Sequence, residues 1–132
     1  MRFLCIYKPS KPEGTPPTQQ EMAAMGKLVE ESMKSGVLLA TEGCLPSSKG
    51  ARVRLSGGNF VVTDGPFTES KEVVGGFALI QAKSKEEAIE HTKQFLKVAG
   101  DGETEIRQVF EGSDCGAASR PELAKAYERQ SA

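Results

Sequence analysis

Two short segments constrain this chain more than any others: Thr18-Gln19-Gln20-Glu21 and Ser84-Lys85-Glu86-Glu87. Each has the spacing of a capping box, in which the first side chain bonds a backbone N–H three residues on and the acid reaches back. Each also opens a run with apolar residues at helical spacing. The first run places Met22, Met25, Gly26, Val29 and Met33 on one face, and Gly36 stops it. The second places Ala88, Thr92, Phe95 and Ala99 on one face, flanked by Ile89 and Leu96, before Gly100 and Gly102. Helices are expected over 18–35 and 84–99.

Strand signals surround both helices. Phe3–Tyr7 is apolar throughout and reads as a buried strand, as does Val37–Ala40. Lys8–Pro17 is a proline-rich loop, and Gly43, Pro46 and Ser47-Ser48 mark another. Ala51–Leu55 and Phe60–Thr63 read as two short strands joined by Ser56-Gly57-Gly58-Asn59, whose glycines permit the positive φ of a tight hairpin. Asp64-Gly65-Pro66-Phe67 forces a turn. Val73–Ala82, interrupted by Gly75-Gly76, and Glu105–Phe110 complete the strands. The order is β-α-β, a hairpin, then β-α-β. It predicts an α+β fold, a ferredoxin-like sandwich with an inserted β-hairpin. The domain is expected over 1–116, with a tail at 117–132 in which Ser119-Arg120-Pro121-Glu122 opens a short helix to about Gln130.

The sheet carries a further expectation. Two helices cover one face of an antiparallel sheet and leave the other to water. Yet Phe3, Cys5 and Tyr7 alternate with Leu4 and Ile6, and Phe77 and Leu79 with Ala78 and Ile80, so both faces are apolar. A chain of 132 residues has little left to cover the second face. A homodimer packed sheet to sheet is the expected solution.

Composition removes several functions. The 17 basic and 18 acidic residues leave a net charge of -1, which gives no default affinity for nucleic acid. No apolar run approaches the roughly 20 residues that span a bilayer, and Met1–Tyr7, basic then apolar and ended by Lys8 and Pro9, is too short for a signal peptide, so no membrane partner and a cytoplasmic address are expected. The three cysteines, Cys5, Cys44 and Cys115, match no zinc or redox spacing and read as free thiols. His91 is the single histidine, so a His-rich metal site is excluded and no metal is expected. Lys49-Gly50 and Gly57-Gly58 lack the phosphate-loop pattern, and no cofactor is expected.

One stretch is more specific. Val62-Thr63-Asp64-Gly65-Pro66-Phe67-Thr68-Glu69-Ser70-Lys71-Glu72, followed by Gly75-Gly76-Phe77, resembles the signature of the DGPF proteins. These belong to the YCII-related group within the dimeric α+β barrel superfamily. Gly36-Val37-Leu38-Leu39, Ala51-Arg52-Val53-Arg54, Ser84 to Glu90 and Glu105 to Phe110 match as well, so the resemblance spans residues 2–116. It implies a ferredoxin-like protomer and a dimer whose sheets close into an α+β barrel. The family has no general activity. Some members are encoded beside extracytoplasmic-function sigma factors, which implies a sigma factor as a candidate partner. Distant relatives isomerise or dehalogenate muconolactone-type compounds with a histidine and an aspartate in the barrel cleft. This chain has no histidine before Gly36, so that pair does not carry over.

The candidate catalytic residues are Asp64 and Glu69, and the candidate ligand-binding residues are Tyr7, Arg54, Gly65, Pro66, Phe67 and Arg107. Asp64 reads either as a general base at the mouth of a cleft or as a turn residue bonding backbone N–H groups. Glu69, Lys71 and Glu72 read either as part of that mouth or as a solvated loop. Arg52 and Arg54 share a strand face and read either as a carboxylate clamp or as outward cations on an edge strand. Arg107 is expected in a central strand, where a buried guanidinium needs a partner such as Asp64 or Glu69. His91 lies one turn after Glu87 and reads as its ion-pair partner, and the methionine stripe reads as core packing. Cys5 reads as buried and inert, and Cys44 as the more reactive thiol. The leading functional expectation is binding of a small acidic organic ligand in a cleft beside Asp64–Phe67. The alternatives are a cofactor-free isomerase or lyase with Asp64 as base, and a regulatory protein that binds a sigma factor.

Overall fold

In a computed structural model of the chain, residues 1–67 and 73–111 are described, together with Glu122, Lys125 and Ala126. The elements in chain order are β1 (Arg2–Pro9), α1 (Gln19–Lys34), β2 (Leu38–Gly43), a 3-10 turn (Ser47–Lys49), β3 (Ala51–Ser56), β4 (Asn59–Asp64), β5 (Gly76–Gln81), α2 (Lys85–Ala99) and β6 (Gly102–Gln108). Both helices begin where the capping boxes place them. Thr18 Oγ1 accepts from the Glu21 N–H at 3.1 Å, and Ser84 Oγ accepts from the Glu87 N–H at 3.1 Å.

The main sheet has the order β2-β5-β1-β6. Every neighbouring pair in it is antiparallel. With a helix after β1 and another after β5, this is the ferredoxin-like arrangement. The β3–β4 hairpin forms a separate two-stranded sheet between β2 and β5. Its turn residues Gly57 and Gly58 both have positive φ, 57° and 81°. Such values suit a two-residue loop that follows the twist of its strands.

Residues directly paired across strands share a face. Phe3 pairs with Ile80, and Cys5 with Ala78 and Ile106. These residues face the helices and meet Ala88 of α2 in the core. Phe3 is the largest fully buried side chain among the described residues, contributing about 1.5–3 kcal/mol of apolar burial. The opposite face carries Leu4, Ile6, Phe77 and Leu79, paired with one another across β1 and β5.

Two expectations are corrected by the packing. The methionine stripe does not enter a closed core: α1 has no buried residue, and Met22 and Met33 are about half exposed. The stripe faces the sheet across a gap. Arg107 is not in a central strand, because β6 is an edge. It pairs with Leu4 on the face away from the helices, its side chain is 72% exposed, and its partner is Glu105 at 3.3 Å. The hairpin is exposed throughout, and on one face Val53, Leu55, Phe60 and Val62 are 61% to 72% exposed.

Candidate functional site

The gap under α1 is a cavity of about 730 Å³. Met22, Met25, Gly26 and Val29 of α1 form one wall, and His91, Phe95 and Val98 of α2 a second. The floor is the helix side of the sheet, including Tyr7, Ile80 and Thr104. The cavity exists because α1 stands away from the sheet while α2 packs onto it through Ala88 and Thr92, both buried.

Most polar atoms around the cavity already have partners. The Tyr7 hydroxyl lies 3.5 Å from the Ala99 and Asp101 carbonyl oxygens, to which it donates. Its ring meets the Phe95 ring edge-on, with centroids 5.1 Å apart and planes at 86°. Burial, and then the charges of Asp101 and Glu21, push the Tyr7 phenol above its ordinary range. Burial also raises the Cys5 thiol, partly opposed by a hydrogen bond with Thr92. Thr92 Oγ1 donates to the Ala88 carbonyl at 2.8 Å. Two atoms remain. His91 Nε2 and Thr104 Oγ1 are buried without a hydrogen-bond partner. His91 Nε2 does lie 3.5 Å from Glu87 Oε1, an ion-pair contact at the limit of reach that lacks hydrogen-bond geometry.

The Asp64–Phe67 motif lies elsewhere and makes a different structure. Gly65 N–H donates to the Gly50 carbonyl at 3.1 Å, and Phe67 N–H donates to Ser47 Oγ at 2.9 Å. The buried Ser47 gives its own N–H and hydroxyl to the two Glu13 carboxylate oxygens, each at 2.6 Å. The Arg52 guanidinium sits over the Phe67 ring at 3.8 Å, a cation–π contact. Three chain segments are thus clasped around Ser47. A side chain at Gly65 has no room, since a Cβ there would overlap the Ser47 backbone.

Of the ligand-binding candidates, Tyr7 lines the cavity; Arg54, Gly65, Pro66, Phe67 and Arg107 do not, and neither does Asp64. Asp64 ends β4 paired with Ala51, and is exposed. Arg54 is exposed on β3. Glu69, Lys71, Glu72 and Cys115, and with them most of the expected C-terminal helix, lie outside the described residues. The described cavity lies on the helix side of the sheet, away from Asp64–Phe67. His91 and Thr104 were not singled out as site residues by sequence. The lone histidine was a usable signal; Thr104 offered none.

Among the described residues, no group of three His, Cys, Asp or Glu side chains is placed to hold a metal ion. No described helix is long and apolar enough to cross a membrane.

A ferredoxin-like chain with a helix-side cavity and a Gly-Pro clasp after its inserted hairpin is the class of protein that the fold and site define. The chain belongs to the YCII-related domain family, whose model matches residues 1–113. It is similar to an uncharacterised protein of Rhizobium meliloti (strain 1021), with 29% identity over 90 residues, covering 67% of this chain and 73% of that protein. Among solved structures it is similar to 5-chloro-2-hydroxyhydroquinone dehydrochlorinase from Burkholderia phenoliruptrix AC1100, in complex with 2,5-dihydroxybenzoquinone. That likeness has a TM-score of 0.47 and 16% identity, covering 86% of this chain and 97% of the other.

Proposed function

We propose that this YCII-related protein binds a small, uncharged organic molecule in the cavity between α1, α2 and the sheet. The observation that carries the reading is the cavity itself. It falls in the size range of small-molecule sites and has their usual lining, apolar walls with a few polar groups. The lining also decides the charge of the ligand. Among the described residues no lysine or arginine lines it, and its acidic group on the helix side, Glu21, is paired with Lys11 at 3.4 Å. An anion there would find no lysine or arginine to pair with and would give up hydration to largely apolar walls. The ligand is therefore taken as neutral, in place of the acidic ligand expected from the arginines.

The test is a thermal-shift and NMR titration with a library of neutral and anionic small molecules. Neutral aromatic or alicyclic compounds should raise the melting temperature and shift the signals of Met22, Met25 and Phe95. Gly26→Leu, placed where a Cβ meets nothing within 4 Å, should fill the space and remove the effect. If no neutral compound binds at millimolar concentration, the reading fails.

The functional unit is taken as two copies of the chain. The face of the sheet away from the helices holds an apolar centre of Leu4, Ile6, Phe77 and Leu79. Charges of both signs surround it: Lys8 and Glu105 form one pair at 3.4 Å, with Glu42 and Arg107 alongside. Such a face is self-complementary under a two-fold axis. Light scattering should give twice the chain mass of 14.1 kDa. A monomer at micromolar concentration would contradict it.

A further inference from the structure

We propose that His91 Nε2 and Thr104 Oγ1 form a two-donor anchor for an oxygen acceptor, so that the cavity selects an uncharged, mainly apolar carbonyl compound. This rests on the cavity being a ligand site.

The argument starts from what is already satisfied. Tyr7 donates to backbone carbonyls, Thr92 donates to Ala88, and Thr41 Oγ1 donates to the Phe77 carbonyl at 3.0 Å. Against that background, His91 Nε2 and Thr104 Oγ1 are the two buried side-chain polar atoms left unbonded among the described residues. Both residues line the cavity. Buried polar groups in native proteins are almost always bonded, so an unbonded pair in one cavity calls for a missing partner.

The two positions are joined by a continuous wall. Thr104 pairs with Tyr7 across β1 and β6, on the helix side of the sheet. The Tyr7 ring meets Phe95 edge-on, and Phe95 is one helical turn after His91 on α2. The partner sought therefore lies along this wall, with its apolar body under Met22, Met25 and Val29 of α1.

Chemistry selects an acceptor. The neutral imidazole has one N–H, and the Glu87 carboxylate 3.5 Å from His91 Nε2 can only accept, so the tautomer with its hydrogen on Nε2 is the one that suits this neighbour. The ring nitrogen is then a donor, and the Thr104 hydroxyl is free to be another. A carbonyl oxygen has two lone pairs and accepts from both. A carboxylate also accepts, but brings a negative charge beside Glu87 into a lining that, among the described residues, holds no lysine or arginine.

Three probes of the same shape separate the outcomes: acetophenone, α-methylstyrene, in which a methylene replaces the carbonyl oxygen, and benzoate. Dissociation constants come from NMR titration of the intact chain. Acetophenone should bind about tenfold or more tightly than α-methylstyrene, the scale expected when buried donors are left unpaired. Benzoate should not bind below millimolar concentration. Thr104→Val and His91→Phe, each with an unchanged circular dichroism spectrum, should bring the two neutral affinities together while leaving that of α-methylstyrene in place. Equal affinities in the wild type would mean that water satisfies the two atoms, and would overturn the anchor while the cavity reading stands. A preference that survives both substitutions, or benzoate as the best ligand, would also overturn it. Failure of both neutral probes to bind at millimolar concentration would overturn the cavity reading itself.

Discussion

Gly65→Ala tests the clasp most directly. An added Cβ would lie 2.5 Å from the Ser47 carbonyl carbon, closer still to its oxygen, and 3.1 Å from Ser48 N. These are backbone atoms, so no side chain can swing aside. Nor can the Ser47 segment retreat freely. Its N–H and hydroxyl are held by Glu13, and its carbonyl accepts from Gly50 N–H at 2.9 Å. Gly65 is itself held by Gly50. Overpacking against a pinned neighbour costs about 1–3 kcal/mol, and here the cost belongs at the upper end, about 3 kcal/mol. For a domain of this size that is a fall in melting temperature of roughly 10 °C. Gly57→Ala is the control. Its φ is positive but nothing lies within 4 Å, so it should lose only about 1 kcal/mol. Urea denaturation at neutral pH, followed by circular dichroism, measures both. If Gly65→Ala cost no more than Gly57→Ala, the tight approach to Ser47 would be refuted.

Other consequences are smaller and independent. Gly26→Ala, in the middle of α1 with open space around the new methyl group, should stabilise the chain by about 0.5–1 kcal/mol in the same urea assay. Glu13→Ala removes the acceptor of two hydrogen bonds from Ser47 and should cost about 1.5–3 kcal/mol; a neutral effect would show that the clasp is held by Phe67 alone. Cys5 has a folded-state pKa above its ordinary value of 9.0, so its contribution to stability is complete below about pH 9 and is lost as pH rises through the folded value. The urea midpoint should therefore fall between pH 8 and pH 10.5, and fall less in Cys5→Ala, with a residual decline from Tyr7, which is shifted the same way. Iodoacetamide at neutral pH should modify the exposed Cys44 well before the buried Cys5, read by peptide mass mapping.

The parts of the fold that were legible in the sequence are those whose causes are local. Thr18 and Ser84 start their helices through bonds to backbone three residues on, and the Gly57-Gly58 turn sets its hairpin through its own φ angles. Periodicity placed Met22, Met25 and Val29 on one helix face, but a face does not reveal what stands opposite it. Here that is a cavity rather than a closed core. Arg107 was misplaced because the order of strands depends on two crossovers, and these put β6 at an edge. The motif around Asp64 was visible as a turn. Its engagement with Ser47 and Glu13 was not, because those partners come from segments 20 and 34 residues apart along the chain. The cavity's unbonded pair is the hardest case: His91 and Thr104 belong to different elements, and only the register of β1 with β6 relates them.

The looseness of α1 has an energetic consequence. It contributes no fully buried residue, while α2 and the inner face of β1 form the packed core. A cover that adds little to the core can be lifted for a small fraction of the folding free energy, so ligands can enter without unfolding the sheet. On the proposed reading, the same geometry would make an occupant a structural component. A molecule seated against Met22, Met25 and Val29 would give α1 the apolar contact that the polypeptide withholds. Occupied chains should therefore exchange the amide hydrogens of residues 19–34 more slowly than empty ones, and the stabilisation should grow with ligand concentration by mass action. In that sense the sequence leaves the domain a place that the proposed ligand would complete.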